Sequence, residues 1–411
     1  MIQRAGIDPV SVVDFYSRPS STLGNPNFVS GFLGMTGTAP ILLYLADRTA
    51  SRLIFALLST SLTIFVILDS QSIQGIFAFA FGLAVTFLIV SFRKSKPLAI
   101  TFGLVFLSVG AVSFAGLLGS GPLSSLLSTT SLLSRFDYWR AAISMTLKNP
   151  IFGVGLDGYW DSYRRYRDES ALERFGASQD SDTPHNVILD YFTYGGMPLG
   201  FAFLALILLV YLKTVKFLLQ KRKLDTNALT LFVVLNGYLD QSLVSPNQIG
   251  VGVWLWLLLG SMWGIVSKIE FSSGFQSKGV LSSYNSHRQS RFNYRKIVSI
   301  VLLLAIPLFY SPLLADVNFL KAAKSGDGLK LISASREWPL DTKRLILVEA
   351  AFSSEFNQFK LDTARVGVEH NPNSYPLWNT IFQNPLTPAK LKSKALTELR
   401  RLDPQYDSFA P

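Results

Sequence analysis

The sequence contains no cysteine, three histidines among 411 residues, and few charged residues, which make up 16% of the chain. The lack of cysteine excludes disulfide bonds and thiolate metal sites. Hydrophobic residues make up 49%, the mean hydropathy is +0.32, and the apolar residues are gathered into long blocks. This combination excludes an ordinary soluble protein of this length and indicates a membrane protein.

Eight apolar blocks approach the roughly 20 residues that a helix needs to cross a membrane. They predict an all-α, polytopic bundle of about eight transmembrane helices. The predicted spans are residues 29–46, 53–69, 73–91, 98–118, 187–212, 228–244, 249–267 and 297–314. The N-terminal residues have no apolar block beside a basic start, so no cleaved signal peptide is expected and the first span directs its own insertion.

The basic residues between the spans predict the orientation, because Lys and Arg near span ends are retained in the cytoplasm. Alternate connecting segments together hold 16 basic and 3 acidic residues, and these segments are 47–52, 92–97, 213–225 and 268–296. The long segment 119–186 instead holds 7 basic and 8 acidic residues. We therefore expect a bacterial plasma (inner) membrane protein with the 119–186 loop on the outer side.

This orientation divides the chain into five predicted regions. They are an extracytoplasmic segment 1–28, four spans in 29–118, the extracytoplasmic loop 119–186, four spans in 187–314 with a basic cytoplasmic loop at 268–296, and an extracytoplasmic tail 315–411. The net charge of +11 is then a topology signal. It favours membrane lipids with anionic headgroups as partners, and no nucleic acid is expected.

Helical patterns continue outside the predicted spans. Residues 136–147 form an amphipathic pattern in the long loop, and residues 361–372, followed by Tyr375 and Trp378, resemble one tetratricopeptide helix with its proline turn. One or two such units fall short of the three or more that a self-stable array needs. We expect a small helical accessory domain that could bind a cell-envelope protein.

The long loop carries a group of arginines suited to phosphate. Arginine presents a planar fork of donors that grips phosphate oxygens, so an arginine at the membrane boundary suits a lipid-linked diphosphate. The candidates are Arg135, Arg140, Arg164 and Arg165. The alternative for each is an ordinary ion pair with the loop's own acids or with lipid phosphates.

His185 and Asp240 are the two other candidates. His185 stands just before a predicted span, where a neutral imidazole could take a proton from an attacking hydroxyl; the alternative is a simple hydrogen bond to a backbone carbonyl. Asp240 lies near the outer end of a predicted span, where an ionisable residue is a functional candidate by default. The alternative is an ordinary interfacial aspartate.

Several motifs together resemble the O-antigen ligase and polymerase family. They are Arg135-Phe-Asp-Tyr-Trp-Arg140, Asn149-Pro-Ile-Phe-Gly153-Val-Gly155, Pro184-His185-Asn186, Tyr194-Gly195-Gly196 and Gly24-Asn-Pro-Asn27 before the first span. The resemblance implies a GT-C-like helical fold and transfer of glycan from undecaprenyl diphosphate to a glycan, lipid or protein acceptor. It also implies an inverting reaction with no metal or cofactor, in which Arg135 holds the diphosphate and His185 acts on the acceptor.

Two departures from the family pattern qualify this expectation. Where many members have a second arginine at the outer end of an earlier span, this chain has Gln71, which can hydrogen-bond phosphate but supplies no charge. The family also has further spans before Gly24, so eight spans would be an incomplete set. The alternatives that stay open are a protein O-oligosaccharyltransferase, a transporter or flippase, and a binding scaffold acting through the tail.

Overall fold

The computed structural model describes residues 18–127, 130–176, 178–220, 223–277, 294–338, 342–351 and 356–405. This part of the chain is helical and contains no strand. It divides into two compact units, one formed by Met1–Arg174 with Ser181–Lys278 and the other by Phe175–Asp180 with Gly279–Pro411. The predicted all-α fold is confirmed.

The first unit contains twelve α-helices within its described residues, after a short 3₁₀ turn at Ser21–Leu23. They are α1 (Pro26–Thr36), α2 (Ala39–Ala46), α3 (Ala50–Asp69), α4 (Ile73–Lys94), α5 (Lys96–Leu117), α6 (Ser124–Leu127), α7 (Thr130–Lys148), α8 (Tyr159–Tyr166), α9 (Glu169–Phe175), α10 (Val187–Leu218), α11 (Thr226–Ser242) and α12 (Ile249–Ser277). The amphipathic helix predicted at 136–147 is therefore the centre of α7.

Six segments of the described chain are long and apolar enough to span a membrane. They are Pro26–Ala46, Ala50–Asp69, Ile73–Lys94, Lys96–Gly116, Val187–Leu218 and Ile249–Ser267. The predicted span at 228–244 corresponds to α11, a helix of 17 residues. The predicted span at 297–314 lies in a helix of the second unit, Tyr294–Ser325, which is described only in part. The chain is a polytopic helical membrane protein.

The helices α3 and α5 present their apolar side chains outward. Leu58 and Leu68 on α3 are 67% and 61% exposed, and Leu107 on α5 is 68% exposed. Such surfaces would be costly in water, but they cost nothing against lipid chains. They are the lipid-facing surfaces expected for spans at the edge of a bundle.

The core of the first unit surrounds α11, which packs against α1, α2, α4, α10 and α12. Almost every residue of α11 from Ala228 to Tyr238 is buried. The amide of Asn236 is satisfied inside this core, since it donates to the Phe232 carbonyl at 2.7 Å and accepts from the Tyr211 hydroxyl at 3.0 Å. A short helix that is buried on all sides can therefore serve as the axis of the bundle.

Small residues bring α1 and α4 into backbone contact. A side chain at Gly34 would place its Cβ 2.4 Å from the Gly75 carbonyl oxygen, and one at Gly75 would meet the Ser30 hydroxyl at 2.2 Å. Ser30 also donates to the Ser72 carbonyl at 3.2 Å. Close approach through small residues is the usual way that membrane helices gain packing energy.

The two ends of the bundle differ in chemistry. At one end, Arg93 near the C-terminus of α4 donates to the carbonyls of Leu218 and Gln220, which close α10. A cation there is favourable because the last carbonyls of a helix carry partial negative charge. At the other end, the first turns of α4 and α10 meet the polypeptide between α11 and α12, which is where the candidate site lies.

The helix α10 is broken at Gly195 and Gly196. Gly196 has φ 67° and ψ −167°, a conformation that is almost restricted to glycine, and Pro198 follows. The break frees two backbone groups, and the turn after α7 pairs with both. The Val154 N–H donates to the Thr193 carbonyl at 2.7 Å, and the Met197 N–H donates to the Pro150 carbonyl at 2.8 Å. We call this double pairing the backbone clasp.

The glycines of the two motifs are explained by the clasp. Gly153 has φ +64°, and a Cβ there would lie 2.2 Å from the Thr193 carbonyl oxygen. A Cβ at Gly196 would lie 2.5 Å from the Pro150 carbonyl oxygen. The motif around residues 149–155 and the motif at 194–196 are thus two halves of one contact that ties the long loop to a membrane helix.

The second unit is helical along its described length. Its helices are α13 (Tyr294–Ser325), α14 (Gly328–Ser335), α15 (Thr342–Ala351), α16 (Asn357–His370), α17 (Tyr375–Gln383) and α18 (Ala389–Leu402). Leu361, Leu377, Trp378, Ile381 and Leu399 form the core that joins α16, α17 and α18. The predicted helices of the tail are present; the tetratricopeptide assignment stays a prediction.

Parts of four predicted regions lie outside the described residues. They are residues 1–17 of the N-terminal segment, 128–129 and 177 of the long loop, 221–222 and 278–293 of the region 187–314, and 339–341, 352–355 and 406–411 of the tail.

The clasp predicts that alanine at Gly153 or Gly196 destabilises the protein by at least about 2 kcal/mol, because each change adds backbone strain and a clash with a carbonyl oxygen. The measurement is the midpoint of thermal unfolding of the purified protein in detergent. Gly155→Ala is the matched control, because Gly155 also has a positive φ, +93°, but an added Cβ meets nothing within 4 Å. Equal losses for Gly153→Ala and Gly155→Ala would contradict the clash.

Candidate functional site

Side chains from three elements converge on the backbone between α11 and α12, here called the 243–248 turn. Gln74 on α4 donates from Nε2 to the Val244 carbonyl at 3.1 Å and to the Ser245 hydroxyl at 2.9 Å. Arg135 on α7 donates from Nε to the same Val244 carbonyl at 2.8 Å. Asn186 donates to the neighbouring Leu243 carbonyl at 3.1 Å. The turn therefore fixes the first turn of α4, the loop helix α7 and the start of α10 together.

Arg135 is the most buried of the predicted arginines, with 9% of its surface exposed. Burial lowers the pKa of its guanidinium, with a smaller opposing effect from Tyr138. The bond from Nε to the Val244 carbonyl holds the plane of the guanidinium. A partly dehydrated cation in a fixed orientation interacts with an anion more strongly than one on the open surface.

His185 lies beside Arg135 in a strained turn. It has φ 53°, which is uncommon for a residue other than glycine, and its N–H donates to the Thr183 hydroxyl at 3.0 Å. The ring Nδ1 lies 3.1 Å from the Thr183 carbonyl oxygen, and the ring packs against Tyr138 with centroids 5.4 Å apart. The Thr183 hydroxyl also lies 3.3 Å from Nδ1. A carbonyl can only accept, so a proton on Nδ1 satisfies the carbonyl contact and leaves the lone pair of the neutral ring on Nε2.

The neutral state of His185 is favoured by its surroundings. Burial is the largest effect and lowers its pKa below the ordinary value of 6.5. The hydrogen bond to Thr183 raises the pKa, and the positive charge of Arg135 lowers it. The structure thus brings the predicted pair, Arg135 and His185, close enough for the charge of one to act on the other.

Asp190 is a candidate that the residue patterns missed. It lies in the first turn of α10, is 1% exposed, and is faced by Tyr194 and Asn247. Neither carboxylate oxygen makes a hydrogen bond of normal geometry with the part of the chain that the structure describes. Its position inside the predicted span 187–212 was the available signal, because acids inside spans are uncommon and costly.

The glutamine at the site is Gln74 and not Gln71, which the sequence had suggested. Gln71 lies in the turn between α3 and α4 with φ 53°, and its side chain is exposed. Gln74, one helical turn later, is the residue that contacts the 243–248 turn. The glutamine that enters the site is thus the one on the inner face of α4.

Arg140 is occupied by the loop's own acids. It pairs with Asp137, and its Nε lies 2.8 Å from a carboxylate oxygen of Asp168. Arg174 pairs with the same Asp137 from another part of the loop. Asp137 is 1% exposed, so two arginines surround one buried acid. This network matches the structural alternative for Arg140, since it fixes the fold of the loop.

The remaining predicted residues lie on other elements. Arg164 and Arg165 are in the last turn of α8; Arg164 is half-buried, and the exposed Arg165 has its guanidinium 5.7 Å from the Tyr166 ring. Asp240 is half-buried near the end of α11. The described residues contain no group of three or more His, Asp or Glu side chains that could hold a metal ion.

Substitutions of Asn186 test whether the 243–248 turn stabilises the start of α10. Its side chain caps α10 by accepting from the N–H groups of Ile188 and Leu189, and it also donates to Leu243. Asn186→Ser keeps a cap but loses the donor, so we expect a loss of about 1 kcal/mol; Asn186→Ala loses both and should cost about 2 kcal/mol. Unfolding in detergent measures both, and a serine variant as stable as the wild type would show that the Leu243 bond contributes nothing.

Comparison with known proteins gives one family match over part of the chain. The model of the O-antigen ligase family matches residues 55–205, which run from α3 into α10 and include Gln74, Arg135 and His185. No curated protein matches the chain, and no solved structure matches it. The matched segment contains both halves of the backbone clasp. The chain is therefore a multi-pass helical membrane protein that carries an O-antigen ligase family domain over residues 55–205.

Proposed function

We propose that the protein is a glycosyltransferase that transfers or polymerises glycan from an undecaprenyl-diphosphate carrier during assembly of cell-envelope polysaccharide. The observation that carries the proposal is the pairing of a buried, oriented arginine with a neutral histidine beside membrane-spanning helices. The family match supports a ligase or polymerase role.

Arg135 is proposed to bind the diphosphate of the donor. The bond that breaks joins the anomeric carbon of the sugar to a diphosphate oxygen, and the electron pair leaves with the diphosphate. A fixed cation at that oxygen lowers the barrier because the charge there grows in the transition state. The anchor of Arg135 on the Val244 carbonyl supports this role, since the guanidinium needs no reorganisation when the donor arrives.

His185 is proposed as the general base. The acceptor hydroxyl attacks the anomeric carbon from the face opposite the diphosphate, and its proton passes to Nε2 of His185, so that the configuration inverts. Nδ1 is held by the Thr183 carbonyl, which leaves Nε2 as the basic nitrogen. The left-handed turn at His185 supports this assignment, because strained backbone is often found where a reacting side chain must be aimed.

The site is proposed to face the outside of the cell. The distribution of basic residues between the spans supports this orientation. Arg93 and the carbonyls that end α10 lie at one end of the bundle, and the 243–248 turn and Arg135 lie at the other. With the basic end in the cytoplasm, the site would meet lipid-linked glycans after they have crossed the membrane.

We expect His185→Ala and Arg135→Ala each to lower transfer by about 100-fold or more, because general base catalysis and charge stabilisation are each of that size. The measurement uses purified protein with undecaprenyl-diphosphate glycan and follows donor consumption and the identity of the glycosylated product. Arg135→Lys should recover only part of the activity, because lysine keeps the charge but loses the Nε anchor.

Lys148→Ala is the matched control for these variants. Lys148 is an exposed cation on α7, the helix that carries Arg135. Its removal should leave the rate within about twofold of the wild type, as is usual for an isolated surface charge. Wild-type rates in both His185→Ala and Arg135→Ala would rule out the proposed roles.

The lowered pKa of His185 predicts the acid side of the pH–rate profile. Below its pKa the ring is protonated at both nitrogens and cannot accept a proton. Since burial places that pKa below 6.5, we expect activity to persist at pH 6.5 and to fall only in more acidic buffer. A rate that rises as the pH falls from 7 to 5 would instead assign His185 a cationic role.

A further inference from the structure

The second unit contains a cleft of about 600 Å³ between two of its helices. Arg365 on α16 forms one side. The other side is formed by Pro388, which directly precedes α18, and by residues of α18 itself. The latter are Lys390, Leu391, Ser393, Lys394 and Thr397. We call this feature the basic cleft. None of the residues assigned to glycan transfer lies in it.

The lining residues of α18 follow the helical repeat. Lys390, Lys394 and Thr397 are spaced four and three residues apart and therefore share one face, with Ser393 beside them. The two lysines are about 6 Å apart along the helix axis. One helix face thus presents two cations and two hydroxyls toward the cleft, and Arg365 adds a third cation from α16.

The walls of the cleft rest on a packed core. Ala364, next to Arg365, is completely buried, as are Ala395 and Leu399 on the inner face of α18. The ammonium group of Lys394 lies 5.6 Å from the centre of the Trp378 ring, which restrains a side chain that would otherwise move freely. The helices that carry the three cations are therefore packed in place before a ligand binds.

The residues that line the cleft carry three positive charges. No aspartate or glutamate lines it, and within the described residues no ion pair involves Arg365, Lys390 or Lys394. Three like charges on one surface destabilise each other slightly unless an anion binds among them. The Ser393 hydroxyl can donate to a sugar hydroxyl. The Thr397 hydroxyl, which donates to the Ser393 carbonyl at 3.1 Å, can still accept from one. Pro388 and Leu391 offer an apolar surface for a sugar ring.

We propose that the basic cleft binds an acidic oligosaccharide, meaning a glycan segment that carries carboxylate or phosphate groups. A glycan uses the cations, the hydroxyls and the apolar wall at once. A lipid headgroup would need only the cations, and it would leave the hydroxyls and the apolar wall unused. If the protein transfers glycan as proposed above, part of an acidic polymer would thereby be held by residues that take no part in the transfer step.

The test measures binding to the full chain in detergent by isothermal titration calorimetry. The probe is a tetramer of galacturonic acid, and maltotetraose is the neutral probe of similar size. Two small anions, inorganic phosphate and glycerophosphoglycerol, represent a free anion and a lipid headgroup. We expect saturable binding of the acidic tetramer that weakens as salt is raised, and little binding of maltotetraose.

The variant Lys390→Ala/Lys394→Ala should weaken binding of the acidic tetramer about tenfold, and Arg365→Ala should weaken it less. The matched control is Lys321→Ala/Lys324→Ala, which removes two exposed lysines of α13 that do not line the cleft. Its affinity should equal that of the wild type.

Three outcomes would overturn the proposal. They are equal binding of maltotetraose, equal or tighter binding of either small anion, and an unchanged affinity in the Lys390→Ala/Lys394→Ala protein. Because the readout is binding, it is independent of transfer. An inactive His185→Ala protein should bind the acidic tetramer as the wild type does.

Discussion

The arrangement of the site depends on two backbone hydrogen bonds between a loop and a broken membrane helix. A helix that stops and restarts within a span leaves an N–H and a carbonyl without their usual partners, which is costly where water is scarce. Here Val154 and Pro150 supply both partners to Thr193 and Met197. The break in α10 is therefore stable only with the loop in place, and the loop is located by the break.

Backbone carbonyls also hold the site together at the 243–248 turn, where they accept hydrogen bonds from three side chains. Arg135 and Gln74 share the Val244 carbonyl, and Asn186 uses the next carbonyl along the chain. Each bond joins a different helix to one short segment. The charge of Arg135 then reaches His185, whose ring is held by Thr183. Arg135 and His185 are thus brought together from two different parts of the chain, the helix α7 and the turn before α10.

The membrane class of the protein and most of its helices could be predicted from the sequence, because apolar blocks and the distribution of charge are visible there. The family could be predicted from its motifs. The sequence also predicted Arg135 and His185, whose side chains lie close together in the structure, and their roles in catalysis stay a prediction. It could not distinguish Gln71 from Gln74, since the face of α4 that meets α11 is decided by packing. It could not predict that Arg174 joins Arg140 around Asp137, since Arg174 and Asp137 are 37 positions apart.

Anchoring a cation to a carbonyl has a consequence for how the protein can change during evolution. A carbonyl is supplied by every residue type, so Leu243 and Val244 can be replaced by other apolar residues without removing the acceptors that Asn186 and Arg135 use. The shape of the turn is under constraint, whereas the side chains of Leu243 and Val244 are free to change. Relatives that look different in this segment can therefore share the same arrangement of arginine and histidine.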